Sequence, residues 1–164
     1  MGARMRRTVT VLALLVAAAG AAQAQRRDDQ PYSLLGLSLG GLTGDLNVHQ
    51  YGIEFLQVEP NRISGRVYVG ALGLRGGKVW AETEIGPAFD LRVAPELSLV
   101  PSVGVNGAFG SGATAWGLQA ALGVTYQVGP DFAVRGQLGR RWWRAYGSWV
   151  GLTQWTLGLS YRLP

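Results

Sequence analysis

The chain has 164 residues, and only 15% of them are charged, although the formal net charge at neutral pH is +5. About a quarter of the residues in an ordinary soluble domain are charged, so this composition excludes an ordinary solvated surface. The sequence has no cysteine, which excludes a disulfide framework and the attachment of lipid to a cysteine.

The first element in the chain is a predicted export signal. Its basic start contains three arginines, Arg4, Arg6 and Arg7. An apolar run follows at 9–19 and is too short to cross a bilayer as a helix. Ala22-Gln23-Ala24 then supplies the small residues that signal peptidase requires. We therefore expect a cleaved Sec-type signal peptide at Met1–Ala24 and a single mature domain at Gln25–Pro164.

The net charge falls once this signal is removed, because its three arginines leave with it. In the mature chain 12 basic residues face 10 acidic residues. The remaining charge gives no argument for nucleic acid as a partner. The sequence also lacks a basic run interleaved with stacking aromatic residues, which is typical of single-strand binders. We expect no nucleic-acid partner.

Prolines divide the mature chain into units of equal length. Pro60, Pro95 and Pro130 each stand two residues after a valine, and neighbouring members of the set are 35 residues apart. Proline fixes the backbone for a tight turn and cannot donate a hydrogen bond to a strand ladder. The equal spacing predicts three turns at one rim of a regular structure.

Between the turns, apolar residues alternate with small or polar residues, which indicates β-strands. The pattern predicts eight strands, at 32–39, 49–58, 62–73, 79–93, 97–109, 114–128, 131–142 and 149–163. The second strand is the least regular, because Val58 falls on the opposite face from Tyr51, Ile53 and Phe55. A β-bulge near Leu56 would restore the alternation.

Strand length and the non-apolar face together favour a membrane barrel. Most of these strands are long enough to cross the hydrocarbon layer, which takes about 9–11 residues in a tilted strand. The non-apolar face consists mostly of Gly, Ser, Thr, Ala, Asn and Gln, which suit the interior of a narrow barrel. In a soluble lipocalin-like barrel, the alternative, that face would meet water and display long charged side chains. We predict a closed, antiparallel, up-and-down transmembrane β-barrel of eight strands.

Aromatic residues support this prediction because they group at the two ends of the strands. If the first strand runs outward from the periplasm, one group lies at the external end: Trp80, Trp116, Trp142, Trp143, Tyr146 and Trp149. The other group lies toward the periplasmic end: Phe55, Phe89, Tyr126, Phe132 and Tyr161. Two aromatic girdles at two interfaces are typical of membrane barrels.

The signal peptide, the alternating strands, the short turns and the girdles resemble the small OmpA/OmpX-type outer-membrane barrels. The resemblance is one of architecture and covers Gln25–Pro164. It implies location in the cell outer membrane, insertion by the barrel-assembly machinery, and contact with membrane lipid and lipopolysaccharide. It also implies a monomer. One difference is the end of the chain, Leu163-Pro164, where that class usually has an aromatic residue.

Charged side chains are predicted inside the barrel. By alternation, nine of them point into the lumen: Glu54, Arg66, Glu82, Glu84, Asp90, Arg92, Arg135, Arg141 and Arg162. An eight-stranded barrel has an interior that side chains just fill, and buried charges persist there when they are paired. The near balance of acids and bases predicts a structural salt-bridge plug. A narrow channel or a proton-conducting path through the same residues is the alternative.

The sequence gives little support for catalysis. His49 is the single histidine, and its candidate partners are Asp45, Ser111 and Ser148. Barrel enzymes that modify lipid A, such as deacylases or acyltransferases, are similar in size and use a histidine near the lipid interface. No recognised catalytic motif accompanies His49, and the sequence lacks a cluster of metal ligands. We expect no enzyme activity, no cofactor and no metal.

The segment Gly110–Ala115 matches a loose dinucleotide-binding pattern, but it is followed by an alternating strand rather than a helix. We therefore interpret it as a hairpin loop.

The last external loop is the one with evident binding chemistry. Arginine and tryptophan side chains that suit the phosphates and sugars of a glycolipid are Arg140, Trp142, Trp143, Arg144 and Trp149. An ordinary aromatic girdle with solvated arginines explains them equally well. The sequence thus predicts a small structural barrel that contributes to envelope integrity. The alternatives are a lipid A-modifying enzyme that uses His49 and a narrow channel.

Overall fold

The structure is a computed structural model of the chain, and it describes residues 31–44, 47–60, 62–74, 77–110, 113–145 and 147–163. The predicted signal peptide, Met1–Ala24, lies outside these residues, as do Asp45, Ser111 and Tyr146. In the described part of the chain, no helix has the length and apolar character needed to span a membrane.

The described residues form nine β-strands. In chain order they are β1 Tyr32–Gly44, β2 Val48–Val58, β3 Ile63–Gly73, β4 Val79–Phe89, β5 Leu91–Ala94, β6 Leu97–Gly110, β7 Ala113–Gln127, β8 Phe132–Ala145 and β9 Ser148–Leu163. Chain neighbours pair antiparallel, except that β4 and β5 both pair with β6. Because β1 also pairs with β9, the sheet closes on itself.

Two of these strands are the halves of one barrel strand. Ala88 of β4 pairs with Ser102, and Leu91 of β5 pairs with Leu99, so both halves follow the same register along β6. The interruption falls at Asp90, which is buried and accepts a hydrogen bond from Ser98 at 3.1 Å. The barrel therefore has eight strands, and the predicted fold class is confirmed.

The ends of the barrel differ in what they carry. One end, here called the terminal end, holds Tyr32, Leu163 and the three proline-containing turns. The other, the loop end, holds the four hairpins that follow β1, β3, β6 and β8. The strands extend further toward the loop end than predicted: β1 continues to Gly44 and β8 to Ala145. Glycines at the end of β1 hide the alternation there, but the ladder with β9 continues through them.

The bulge predicted near Leu56 is absent from the described ladder. Pairs run without a shift from Tyr32 with Val58 to Leu42 with Val48. Val58 points inward and packs with Tyr32 and Leu56 in an apolar cluster. The prediction was wrong because it assumed a polar inward face along the whole strand, whereas the lumen is apolar near the terminal end.

The outward face is apolar, as the alternation predicted. Leu37, Ile63 and Leu138 are each more than 60% exposed on the barrel exterior. The lumen has three layers. An apolar terminal cluster consists of Tyr32, Leu34, Leu56, Val58, Ala88, Val100 and Ala133. An apolar loop-end cluster consists of Leu42, Val48, Leu72, Ala108, Ala115, Trp143 and Leu152. Charged and amide side chains lie between the two.

Two members of the predicted external girdle do not face outward. Trp143 is 3% exposed and belongs to the loop-end cluster, and Trp80 packs against that cluster from inside. Trp116, Trp142 and Trp149 do lie on the outer surface of the loop end. Grouping by strand end located the aromatic residues, but alternation within each strand decides which of them face lipid.

Candidate functional site in the barrel lumen

The middle layer of the lumen contains most of the charges predicted to point inward. Seven of the nine are buried: Glu54, Arg66, Glu82, Glu84, Asp90, Arg135 and Arg141. The other two, Arg92 and Arg162, are half-buried near the terminal end, where the Arg162 guanidinium lies 4.2 Å from the centre of the Tyr32 ring. Six of the seven buried charges lie at inward positions of β2, β3, β4 and β8, which are every second residue along each strand, and Asp90 lies between β4 and β5.

Arg141 is the most deeply buried of these side chains, with no exposed surface. Its Nη1 atom lies 2.7 Å from Glu82 Oε2, and its Nη2 atom lies 3.1 Å from Glu84 Oε2. Its Nε atom donates to Gln154 Oε1 at 3.0 Å. Every nitrogen of this guanidinium therefore has an acceptor, as a buried charge requires.

Two glutamines complete a closed circuit on the loop-end side of this layer. Gln154 Nε2 donates to Gln50 Oε1 at 3.2 Å, and Gln50 Nε2 donates to Glu82 Oε1 at 2.6 Å. Together with the bonds of Arg141, these join Gln50, Glu82, Arg141 and Gln154 into a loop-side ring. The ring links β2, β4, β8 and β9 across the lumen and fixes strands that are not all ladder neighbours.

A second group lies on the terminal side of the layer. Glu54 forms ion pairs with both Arg66 and Arg135, and the bond from Arg135 Nη1 measures 2.6 Å. We call Glu54, Arg66 and Arg135 the terminal-side triad. Arg66 also pairs with Glu84, so Glu84 connects the triad to the loop-side ring through Arg141.

The terminal-side triad and the nearby Gln137 leave more hydrogen-bonding groups unused than the ring does. Arg135 Nε and Nη2 and both polar atoms of the Gln137 side chain have no partner among the described protein atoms. The hydroxyl groups of Ser102 and Thr125 are also buried without a partner among the described residues. Thr125 pairs directly with Arg135 across the β7–β8 ladder, so these groups share one inner wall.

The two apolar clusters lie on either side of this polar layer. At the loop end, Trp143 donates from Nε1 to Asn106 Oδ1 at 2.5 Å, and its ring centre lies 5.9 Å from the Arg141 guanidinium carbon. At the terminal end, Tyr32, Leu56 and Val58 are packed together. The charges are therefore enclosed above and below by apolar side chains.

Several residues that shape the site were missed at the sequence level. The amides of Gln50, Gln119 and Gln154 each bond to a charged or amide partner in the lumen. Tyr68 is buried as well, and its ring occupies the space beside Gly52 and Gly70. A Cβ atom at Gly52 would come within 2.4 Å of that ring. The same alternation that located the charges would have located these neutral residues.

The histidine of the enzymatic alternative lies elsewhere. His49 is exposed on the outward face of β2, and its ladder partners are Gly41 and Gly73. Ser148 is exposed at the start of β9, and the other two candidate partners lie outside the described residues. Within the described ranges, no three His, Cys, Asp or Glu side chains gather to hold a metal ion.

The predicted glycolipid-contact residues are divided between the two faces of β8 and β9. Arg140, Trp142 and Arg144 point outward at alternate positions of β8, and Trp149 points outward on β9. Trp143 does not belong to this set, because it points into the lumen. The sequence predicts a loop here, but β8 continues through the segment to Ala145, and neighbouring residues in a strand face opposite ways.

Comparisons with known proteins give a fold but no family. A comparison with protein-family models finds no match, and a comparison with curated proteins finds none either. Among solved structures, the chain is similar to the N-terminal β-barrel domain of Pseudomonas aeruginosa OprF, with 14% identity and a TM-score of 0.57. That similarity covers 82% of this chain and 100% of the other.

Two further solved structures support the same fold. Neisserial surface protein A is 14% identical, with a TM-score of 0.54, and the similarity covers 81% of this chain and 96% of the other. Ail, the attachment invasion locus protein of Yersinia pestis, is 12% identical with a TM-score of 0.53. That similarity covers 81% of this chain and 97% of the other. The chain thus has the fold of the small outer-membrane β-barrels, and identities this low indicate fold alone.

Proposed function

We propose that this protein is a small barrel of the Gram-negative outer membrane, with its loop end outside, and that it serves as a structural component of the cell envelope. The outer surface supports the location. Leu37, Ile63 and Leu138 are more than 60% exposed there, within a belt of large apolar side chains. Such a surface is removed from water when it faces lipid. The predicted export signal is consistent with this location.

The observation that carries the structural role is the enclosed charge layer. An ion moving through the lumen would have to pass the loop-end cluster, break pairs such as Arg141 with Glu82 and Glu84, and then pass the terminal cluster. Removing an ion from water and separating buried pairs costs several kcal/mol. A side-chain plug therefore fits these residues better than a narrow channel.

An enzymatic role receives less support. A general base has to lie within hydrogen-bonding reach of the group that it deprotonates. The ladder neighbours of His49 are glycines on both sides. We propose that the barrel has no catalytic activity and needs no cofactor.

The partners that we propose are membrane lipid, lipopolysaccharide and the barrel-assembly machinery. A closed ladder leaves no strand edge for pairing with a second chain, so we propose a monomer.

The plug can be tested by conductance. We expect the refolded protein to give no unitary current steps in a planar bilayer, while a known porin measured in parallel does. Glu82→Gln changes the charge layer, and Arg140→Gln is its matched control on the outer surface. Reproducible steps from the unaltered protein that change in Glu82→Gln but persist in Arg140→Gln would overturn the plug.

The structural role can be tested in cells. We expect a strain without the gene to become more sensitive to detergent, because the envelope has lost a structural component. Wild-type protein and His49→Ala should both restore resistance, and lipid A mass spectra should be the same in all strains. A folded His49→Ala protein that fails to restore resistance, together with an altered acylation pattern, would favour the lipid A-modifying enzyme instead.

A further inference from the structure

The outer surface of the loop end is chemically asymmetric. Its β7–β9 wall carries two outward arginines and four outward tryptophans: Arg140, Arg144, Trp116, Trp142, Trp149 and Trp155. At the same end, the described outward strand positions of β1 to β6 carry no Arg, Lys, Asp or Glu. An aromatic girdle that only anchors a barrel would be distributed around it. Tyr51 of β2 and Phe109 of β6 also face outward, but the tryptophans and arginines are concentrated on one wall, which favours a directed interaction.

The two arginines have no acidic partner on this wall. Among the described residues, no carboxylate forms an ion pair with Arg140 or Arg144, although every buried arginine of the charge layer has one. The wall is therefore positively charged where it meets the outer interface of the membrane. An arginine guanidinium matches the geometry of a phosphate and binds it with charge-assisted hydrogen bonds.

Arg140 is held in position by its neighbours. Its Nη1 atom donates to Thr153 Oγ1 at 3.0 Å, and its guanidinium lies against Gly151. A Cβ atom at Gly151 would come within 2.8 Å of Arg140 Nη2, so the guanidinium lies close to this glycine. The guanidinium is thus directed along the wall and keeps further donors for a ligand.

Arg144 stands between two tryptophans in the ladder. In the ladder it pairs with Trp116 on β7 and with Trp149 on β9, and these two rings meet edge to face at 5.7 Å. Trp142 stands between the two arginines on the same face of β8. Amphipathic indole rings favour the boundary between headgroups and acyl chains, so the arginines lie at the depth where lipid phosphates occur.

The spacing of the arginines limits the class of ligand. Four residues along a strand correspond to roughly 13 Å, which is comparable with the length of a disaccharide. We propose that the β7–β9 wall binds a phosphorylated glycolipid with a disaccharide headgroup. Arg140 and Arg144 each bind one phosphate, and Trp142 packs between them. The proposal rests on the proposed outer-membrane location and adds a lipid-binding site to it.

The experiment compares vesicles of three compositions: phosphatidylcholine alone, phosphatidylcholine with phosphatidylglycerol, and phosphatidylcholine with bisphosphorylated lipid A. Refolded protein is extracted into mild detergent, and the bound lipid is counted by native mass spectrometry. We expect the protein to retain lipid A and not phosphatidylglycerol. Arg140→Gln and Arg144→Gln should each weaken retention about tenfold or more, which corresponds to losing a charge-assisted hydrogen bond.

The matched control is Arg62→Gln, an exposed arginine in a turn at the terminal end, and it should retain lipid A as the wild type does. If the Arg140 and Arg144 variants retain as much lipid A as the wild type does, the proposed site is wrong. Equal retention of phosphatidylglycerol would overturn it as well, because it would indicate only a general attraction for anions. Each sample is checked for heat-modifiable migration on gels. A wild-type protein that fails to fold in all three vesicles would instead count against the membrane location.

Discussion

The two halves of the polar layer differ in how completely their buried charged groups are hydrogen-bonded. In the loop-side ring of Gln50, Glu82, Arg141 and Gln154, each side chain bonds to the next, and Arg141 uses all three of its nitrogens. In the terminal-side triad, Arg135 uses Nη1 alone and leaves Nε and Nη2 without a protein partner among the described residues. The ring of four residues is saturated, whereas the triad has unused donors.

This difference predicts how the two halves respond to substitution. Removing a member of a saturated group leaves its former partners buried and unpaired, which is the most costly situation for a polar group. Removing a member of an unsaturated group removes unpaired atoms together with paired ones. The loop-side ring should therefore contribute more to the free energy of unfolding than the terminal-side triad.

The largest effect is expected for Arg141→Ala. It leaves Glu82 without its arginine and removes one of the two arginines that pair with Glu84. We expect the free energy of unfolding to fall by about 3–5 kcal/mol, measured by urea titration in lipid vesicles with tryptophan fluorescence. Arg62→Ala is the control, because Arg62 is exposed in a turn at the terminal end, and it should change stability by less than about 0.5 kcal/mol. Equal effects of the two substitutions would contradict the burial of Arg141.

A smaller effect is expected for Arg135→Ala. Glu54 keeps its second partner, Arg66, and two unpaired nitrogens disappear with the side chain. We expect a loss of about 2–3 kcal/mol in the same titration. A loss as large as that for Arg141→Ala would mean that the two halves are equally saturated. It would contradict the larger contribution of the loop-side ring to the free energy of unfolding.

The sequence predicted the barrel because its main signal, alternation, is a property of single strands. Each of the nine charges could be assigned to a face from its own strand alone. The ring could not be predicted in this way. Gln50, Arg141 and Gln154 are brought together by the closure and stagger of the barrel, which sets the height of each residue across the lumen. Alternation gives the direction of a side chain and says nothing about that height.

Two predictions were wrong at residues that belong to the apolar clusters. The prediction that Trp143 faces outward follows from ending the strand at residue 142, and the prediction of a bulge near Val58 follows from assuming a polar inward face along the whole strand. Both residues close the lumen at opposite ends. Alternation continued along each strand places both residues on the inward face, but the apolar clusters that they join are formed by contacts between different strands.

A third prediction concerns the ring without a change of charge. Gln154→Leu keeps a similar volume but removes the acceptor of Arg141 Nε and the donor to Gln50 Oε1. We expect the free energy of unfolding to fall by about 1–2 kcal/mol, because two buried polar atoms lose their partners. The measurement is the same urea titration. If the urea concentration at half unfolding does not change, the ring is not closed in the membrane.

The smallest effect, and the sharpest test of the comparison, is expected for Gln137→Leu. This is the same substitution in the other half of the layer, at a glutamine with similar burial and no protein partner for either polar atom. Replacing a buried, unpartnered amide by an apolar side chain of similar size removes a desolvation cost and breaks no bond. We expect stability to stay within about 0.5 kcal/mol of the wild type or to rise by up to about 1 kcal/mol. If Gln137→Leu instead costs as much as Gln154→Leu, then the Gln137 amide is bonded in the membrane, and the terminal side is as saturated as the loop side.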